Sequence, residues 1–441
     1  DRCTQLTGIK YTRVKYNNQD WDDGAAFINS AGSAGLRGDV RISMKNIDNA
    51  NGILAYNYFP QVGDMVLDAS ENWGSTSNSN RFMRNIILHE HGHGFGLSHI
   101  CSSNSSQLME PYLDTSFDGP QHDDVRGADY FYGDPFEPNN SAAEADDLAG
   151  FTVPSTVVVG FDPQNVSNVT RRAISVNGDM DFMKFTLVAD GVLTATLSPK
   201  GYSYYDMPQS NCNGTTAVNS LTGANLNLQL LASDGTTALA TASGAAAGSN
   251  EVISTFPLKA GTYFARVSAT AFAQAQLYTL TLATSAINQV VTGSVQLQDF
   301  VGSVGGLPIT VELRQPGTTT VLATKTVNLA ANGTFSAKFE PFVAPGTYDV
   351  GIKASHWLRK VVPNASLAIG GVALANVSLI NGDVDGDNSV TVFDYAALST
   401  AFDTSAGQAG WNANADLDGD GSVTIFDYSI LSDRFDLQGQ D

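Results

Sequence analysis

His89-Glu-His-Gly-His-Gly-Phe-Gly-Leu-Ser-His99 satisfies the pattern H-E-x-x-H-x-x-G-x-x-H in full. The stretch from about Arg81 to Gly94 has helical spacing, and at 3.6 residues per turn His89 and His93 stand about 40° apart and one turn removed. Both imidazoles can therefore reach one zinc ion. Gly94 and Gly96 let the chain turn after the helix, so that His99 approaches the same ion from below. Three neutral ligands leave a fourth position for water, which the metal makes far more acidic. Glu90, beside them, is the catalytic candidate: it can take that proton, deliver hydroxide to a peptide carbonyl and later protonate the leaving amine. His91 lies about 200° around the helix from His89 and is expected to face away, while His122 and His356 read as structural or exposed. Ordinary surface histidines would explain a lone i, i+4 pair better than they explain the whole pattern.

Working outward, 441 residues exceed one hydrophobic core and suggest roughly three or four domains at about 150 residues each. Only 15% of the chain is charged while Gly numbers 42, a balance of β-rich extracellular modules. The formal net charge of -21 repels a phosphate backbone, so no nucleic-acid partner is expected, and calcium is the natural counter-ion. Three cysteines, Cys3, Cys101 and Cys212, are too few for a disulfide framework and can form one bridge at most. No apolar run of about 18 residues is present, so no membrane span is expected. A start at Asp1 without Met or signal peptide reads as a processed or truncated product.

The first segment, residues 1–134, mixes alternating runs such as Asp39-Val-Arg-Ile-Ser43 with the one long helix, which predicts α+β, and Asp134-Pro-Phe-Glu-Pro-Asn-Asn140 ends it. Residues 135–286 and 287–379 carry short alternating strands between Gly, Asp and Asn, and predict two β-sandwich domains. Residues 380–441 hold a repeat, Asp385-Gly-Asp-Asn-Ser-Val-Thr-Val-Phe-Asp-Tyr395 and Asp418-Gly-Asp-Gly-Ser-Val-Thr-Ile-Phe-Asp-Tyr428, offset by 33 residues. Asp383, Asp385, Asp387, Ser389, Thr391 and Asp394 fall at positions 1, 3, 5, 7, 9 and 12 of a twelve-residue calcium loop, and Asp416, Asp418, Asp420, Ser422, Thr424 and Asp427 repeat them. Two calcium ions in a small EF-hand-like helical domain are the expectation; two solvated acidic turns need not share Val-Thr-x-Phe-Asp-Tyr.

The histidine pattern resembles that of the metzincin clan and, within it, the matrixins. Gln107-Leu-Met-Glu-Pro-Tyr112 resembles the matrixin Met-turn, which implies Met109 under the zinc and Pro111 and Tyr112 in the S1′ wall; without the resemblance Met109 reads as a core residue. Asp123-Asp-Val-Arg-Gly-Ala-Asp-Tyr-Phe-Tyr-Gly133 resembles the closing helix of that fold. Gly52-Ile-Leu-Ala-Tyr-Asn-Tyr-Phe-Pro60 resembles the edge strand that holds substrate, which implies that Ile53, Leu54, Ala55 and Tyr56 face an extended peptide. Asp68 and Glu71 match positions of a structural calcium, with surface carboxylates as the alternative. Tyr56 and Val66 stand where the family carries histidines for a second zinc, so one catalytic zinc is expected. Only five residues precede Leu6-Thr-Gly-Ile-Lys-Tyr-Thr-Arg-Val14, and the resemblance implies that the N-terminal part of the fold is missing. Cys3 reads as a bridge to Cys101, as a latency thiolate on zinc, or as a free thiol.

Residues 137–282 resemble the bacterial pre-peptidase C-terminal domain, which implies Glu137 and Asn139 as calcium candidates, with a simple loop as the alternative. The tail resembles type I dockerin, with Asn388 where Gly is usual and Val392-Phe393 and Ile425-Phe426 where small polar residues are usual. That implies a cohesin-like partner, or else a calcium-stapled domain of other specificity. Together these readings predict a secreted or cell-surface-associated, monomeric zinc endopeptidase acting on protein or peptide substrates. The rival expectation is a non-catalytic extracellular adhesion or scaffold protein with an incomplete protease domain.

Overall fold

A computed structural model of the chain describes residues 2–15, 18, 38–102, 106–160, 171–213 and 216–441. Strands dominate and helices are few. Two compact units result, Asp1–Ser285 and Ala286–Asp441.

The first unit opens with a short helix, α1 (Arg2–Leu6), and a three-stranded sheet of β1 (Ile42–Lys45), β2 (Ala55–Asn57) and β3 (Met65–Asp68). The order is β1-β3-β2, with β1 parallel and β2 antiparallel to β3, so β2 lies at an edge and Tyr56 sits opposite Val66. The central strand, Met-Val-Leu-Asp, is buried at all four positions, as a strand covered on both faces must be. Its Met65 and Leu67 pack with Ala55 and with Ile86 of α2 (Arg81–Phe95). α2 starts after Asn78, Ser79 and Asn80, all in the left-handed region, and stops at Gly96. α3 (His122–Tyr132) begins with a capping box, in which Gln121 and Asp124 satisfy each other's backbone amides.

Residues 146–286 then form two five-stranded layers. One runs Ala238–Ala242, Ala224–Leu231, Gly261–Phe272, Met180–Leu187, Asp146–Phe151. The other runs Glu251–Leu258, Gly191–Lys200, Gln276–Ala286, Ser155–Gly160, with Arg172–Ile174 beside the third of these. Alternate residues such as Phe185, Leu193, Leu197, Leu228, Val267 and Leu280 point between the layers and build one core. From this sandwich a hairpin, Ser203–Tyr205 paired with Ala217–Asn219, reaches back to Ile100 through Pro208.

The second unit repeats the sandwich principle around Val291, Val311, Leu313, Val350, Ile352 and Trp357. It ends in α4 (Val392–Ala401) and α5 (Ile425–Asp433), which share a small core of Val384, Val390, Leu398, Leu417, Val423 and Leu431.

Candidate metal centre

α2 presents His89 and His93 on one face, and the turn at Gly96 returns His99 to them. His89 Nε2 lies 3.0 Å and His93 Nε2 3.1 Å from His99 Nε2. Tetrahedral ligands roughly 2.0–2.1 Å from one zinc ion stand about 3.3 Å apart, so the three nitrogens fit that ion closely. Each remaining ring nitrogen meets an acceptor: His89 Nδ1 the Leu108 carbonyl at 2.7 Å, His93 Nδ1 the Leu97 carbonyl at 2.8 Å, His99 Nδ1 the Gln209 carboxamide oxygen at 2.7 Å. Acceptors on all three Nδ1 atoms place the protons there and leave three Nε2 lone pairs converging, which is how metal-ligating imidazoles are held. Burial pushes the His89 imidazole down to about 4 and lowers that of His93, which favours the neutral ligating form. Glu90, next to His89 on α2, is buried, and burial raises its carboxyl to about 7. His91 turns away, against Tyr11 and the Phe95 ring.

Met109 is buried beneath this site, and a Cβ on Gly92 would collide with its sulfur, so the glycine inside the motif admits the methionine. The Met109 turn is clamped by Asp124, whose carboxylate accepts the Leu108 amide at 2.8 Å and the Met109 amide at 3.0 Å. Neither Asp124 nor Gly92 was singled out from the sequence; a capping box starting with Gln is a weak signal for the first. Pro111 is half-buried and Tyr112 exposed. Along the edge strand Ile53 is exposed, Leu54 and Tyr56 are half-buried and Ala55 is buried, and the Phe59 ring lies 5.5 Å from that of His93. Asp68 accepts amides of Asp48 and Ser70, and Glu71 accepts that of Asn51, so both carboxylates organise the 46–53 loop. They are not among the described acidic groups that converge in threes.

The disulfide expected between Cys3 and Cys101 is corrected: Cys101 pairs with Cys212, and Cys3 is buried beside Phe95 and Ala128. The hairpin that supplies Cys212 also forms a bridge between Ile100 and Pro208 and takes the Cys101 amide on the Met207 carbonyl at 2.7 Å. α3 is fastened to the same sandwich through Arg126, which donates to the Ala275 carbonyl at 2.9 Å and the Tyr204 hydroxyl at 2.6 Å.

Among the described residues, three acidic constellations bring ligand atoms within 4.8 Å of one another. Glu137 meets Asp179 and Asp181, two residues the sequence did not mark. Burial, reinforced by Asp179 and Asp134, raises Glu137 to about 7, and the buried Asn139 carboxamide and one Asp181 oxygen find no hydrogen-bond partner. Orphaned oxygens amid repelling carboxylates suit a hard cation. In the tail, Asp383, Asp385 and Asp394 converge, as do Asp416, Asp418 and Asp427. Asp387 and Asp420 instead accept the amides of Ser389 and Ser422, and Thr391 and Thr424 are the N-caps of α4 and α5. Asn388 takes the left-handed turn at φ 74° where the second loop has Gly421 at 95°. Val392-Phe393 and Ile425-Phe426 are exposed on the first turns of the two helices.

Residues 10–133 match the family of the Matrixin model, 179–269 the Bacterial pre-peptidase C-terminal domain and 381–436 the Dockerin type I domain. Among curated proteins, the chain is 29% identical over 143 residues to Stromelysin-3 of Xenopus laevis, covering 31% of this chain and 29% of that protein. It is 31% identical over 125 residues to the Hatching enzyme of Paracentrotus lividus, covering 27% and 17%. The chain thus spans less than a third of the length of these relatives. Among solved structures, a type II Cohesin-X-Dockerin complex from Acetivibrio cellulolyticus matches at 26% identity and a TM-score of 0.27, covering 34% of this chain and 97% of that one.

Proposed function

From a chain that carries a matrixin domain, a bacterial pre-peptidase C-terminal domain and a dockerin type I domain, we propose a secreted zinc endopeptidase that is attached to a protein partner through its tail. One observation carries the reading: the Nε2 atoms of His89 and His93 lie 3.0 and 3.1 Å from that of His99, each ring fixed by an acceptor on Nδ1, with Glu90 buried on the same helix as the first two. Zinc, when bound by His89, His93 and His99, supplies a Lewis acid that acidifies water and polarises the scissile carbonyl. Glu90 takes the proton of the attacking water and hands it to the leaving amine. A carboxyl raised to about 7 is suited to both halves of that transfer near neutral pH. Among the described residues β2 pairs on one side alone, which supports backbone pairing of an extended peptide along its other edge, and Pro111 with Tyr112 would bound the leaving-group side.

Calcium is proposed at the two tail loops, at Glu137, Asp179 and Asp181, and, from the family resemblance alone, at Asp68 and Glu71. The Cys101–Cys212 bridge supports an oxidising, extracellular location. The exposed Val392-Phe393 and Ile425-Phe426 pairs support docking of a cohesin-like partner, which calorimetry against a cohesin panel with and without EGTA would detect.

The deciding experiment measures cleavage of a generic peptide by the full chain and by Glu90→Ala, together with zinc content. Activity is expected to fall about 10²- to 10⁴-fold in the variant with zinc retained. Equal inactivity of both proteins would instead favour a non-catalytic scaffold.

A further inference from the structure

We propose that Gln209 is the positioning residue of the third zinc ligand, kept against His99 by the hairpin that the Cys101–Cys212 disulfide fastens, so that zinc retention depends on that disulfide. The inference rests on the zinc reading above.

His89 and His93 lean on backbone carbonyls, of Leu108 and Leu97, which the fold of their own segment fixes. His99 differs. Its Nδ1 meets a side-chain carboxamide delivered from a hairpin 110 residues further along the chain. A backbone carbonyl cannot leave without unfolding its surroundings, whereas a glutamine must lose rotamer freedom to stay. What holds it is on the page: the Ile100–Pro208 bridge, the Cys101 amide on the Met207 carbonyl, and the covalent link from Cys101 to Cys212. His99 lies two residues before one cysteine and Gln209 three before the other, so the staple closes within a turn of the hydrogen bond it protects. Pro208, with φ fixed near its ring value at -65°, sets the start of the single 3-10 turn on which Gln209 sits.

The carboxamide oxygen accepts, so the His99 proton resides on Nδ1 and Nε2 keeps its lone pair for the metal. Without that acceptor the ring can rotate or carry its proton on Nε2, and that tautomer cannot ligate. Cys212 is exposed, so a dithiol reductant can reach it. Reduction breaks the S–S bond and gives two thiols, with two electrons and two protons supplied by the dithiol, which becomes a disulfide. The hairpin then loses its fastening and Gln209 its registration.

The test uses the full chain with zinc alone. Zinc affinity is read by competition with a chelator of known strength, and ligand geometry by the visible absorption of the cobalt-substituted protein. Gln209→Ala is expected to weaken zinc binding roughly 10- to 100-fold and to shift the cobalt bands, while Gln209→Glu, which keeps an acceptor, holds zinc at least as tightly as the wild type. Dithiol treatment should weaken the wild type and leave Gln209→Ala unchanged. Unaltered affinity and cobalt bands in Gln209→Ala overturn the positioning role, and equal weakening of both proteins by dithiol overturns the redox link. Gln209 is exposed, so its replacement spares the core; should the alanine variant fold poorly, the dithiol response of the wild type, read after the zinc-binding dithiol is removed, still decides, and unweakened zinc binding overturns the redox link. Failure of the wild type to bind zinc would instead remove the underlying metal reading.

Discussion

His122 shows how a single side chain can be decided by distant sequence. It is the first residue of α3, is 2% exposed, and its Nε2 shares a 2.7 Å hydrogen bond with the Ser220 hydroxyl. Burial, then the charges of Arg126 and Arg171, push its imidazole down to about 3. The folded protein therefore keeps it neutral, while the unfolded chain protonates it near 6.5. The stability this provides is complete above pH 6.5 and is lost as pH falls from about 6.5 towards 3, at about 1.4 kcal/mol per pH unit. His122→Gln removes that linkage, and urea titrations between pH 6 and 4 should show a slope shallower by about one proton; identical slopes for both proteins would refute the assignment. The sequence offered His122 as structural or exposed and could go no further, because its burial depends on residues near 202–220. Gln209 escaped notice for the same reason: no spacing rule joins it to His99.

At the scale of elements, α2 and the turn that ends it were legible, because the chemistry there is local. Helical periodicity pairs His89 with His93, and a glycine three residues later signals the stop. The structure gives Gly96 a φ of 102°, with its amide on the His93 carbonyl at 2.9 Å, and this reversal is what returns His99 to the site. A side chain with Cβ pays about 1–2 kcal/mol for the left-handed region. Gly96→Ala should lower stability by that amount and weaken zinc binding, whereas Gly96→Asn, whose side chain tolerates the conformation, should cost less. Paired thermal scans and zinc titrations check the order; an alanine variant as stable and as metal-retentive as the wild type would show that the turn does not set His99. The edge strand was legible only in outline: β2 is three residues long, and its neighbours Ile53 and Leu54 lie outside it.

For the whole molecule, what could be read in advance were features closed within about a dozen residues: the histidine helix and the two repeated acidic loops, each followed by a helix with its own capping threonine. What could not were links across modules, because they are fixed by packing rather than by pattern. The bridge from Cys101 to Cys212 closes 111 residues and ties the end of the histidine motif to the first sandwich, where the expectation was a partner at Cys3. Asp179 and Asp181 join Glu137 only because a strand brings them there. These links have separable consequences. The disulfide lies wholly within Asp1–Ser285, while converging acidic groups occur in both units. On the chain-entropy model a loop of this length stabilises by about 4 to 5 kcal/mol. Cations at 100 times their Kd add about 2.7 kcal/mol per site. Calorimetry of the full chain should therefore resolve two transitions that respond differently. EGTA lowers both, relieved repulsion being lost at Glu137 in one unit and at the paired loops in the other, while a dithiol lowers only the transition of the first unit. Cys212→Ser should reproduce the dithiol effect and abolish further response to it. If reductant moves both transitions, or EGTA moves neither, the assignment of the bridge to one unit and of cations to both is wrong.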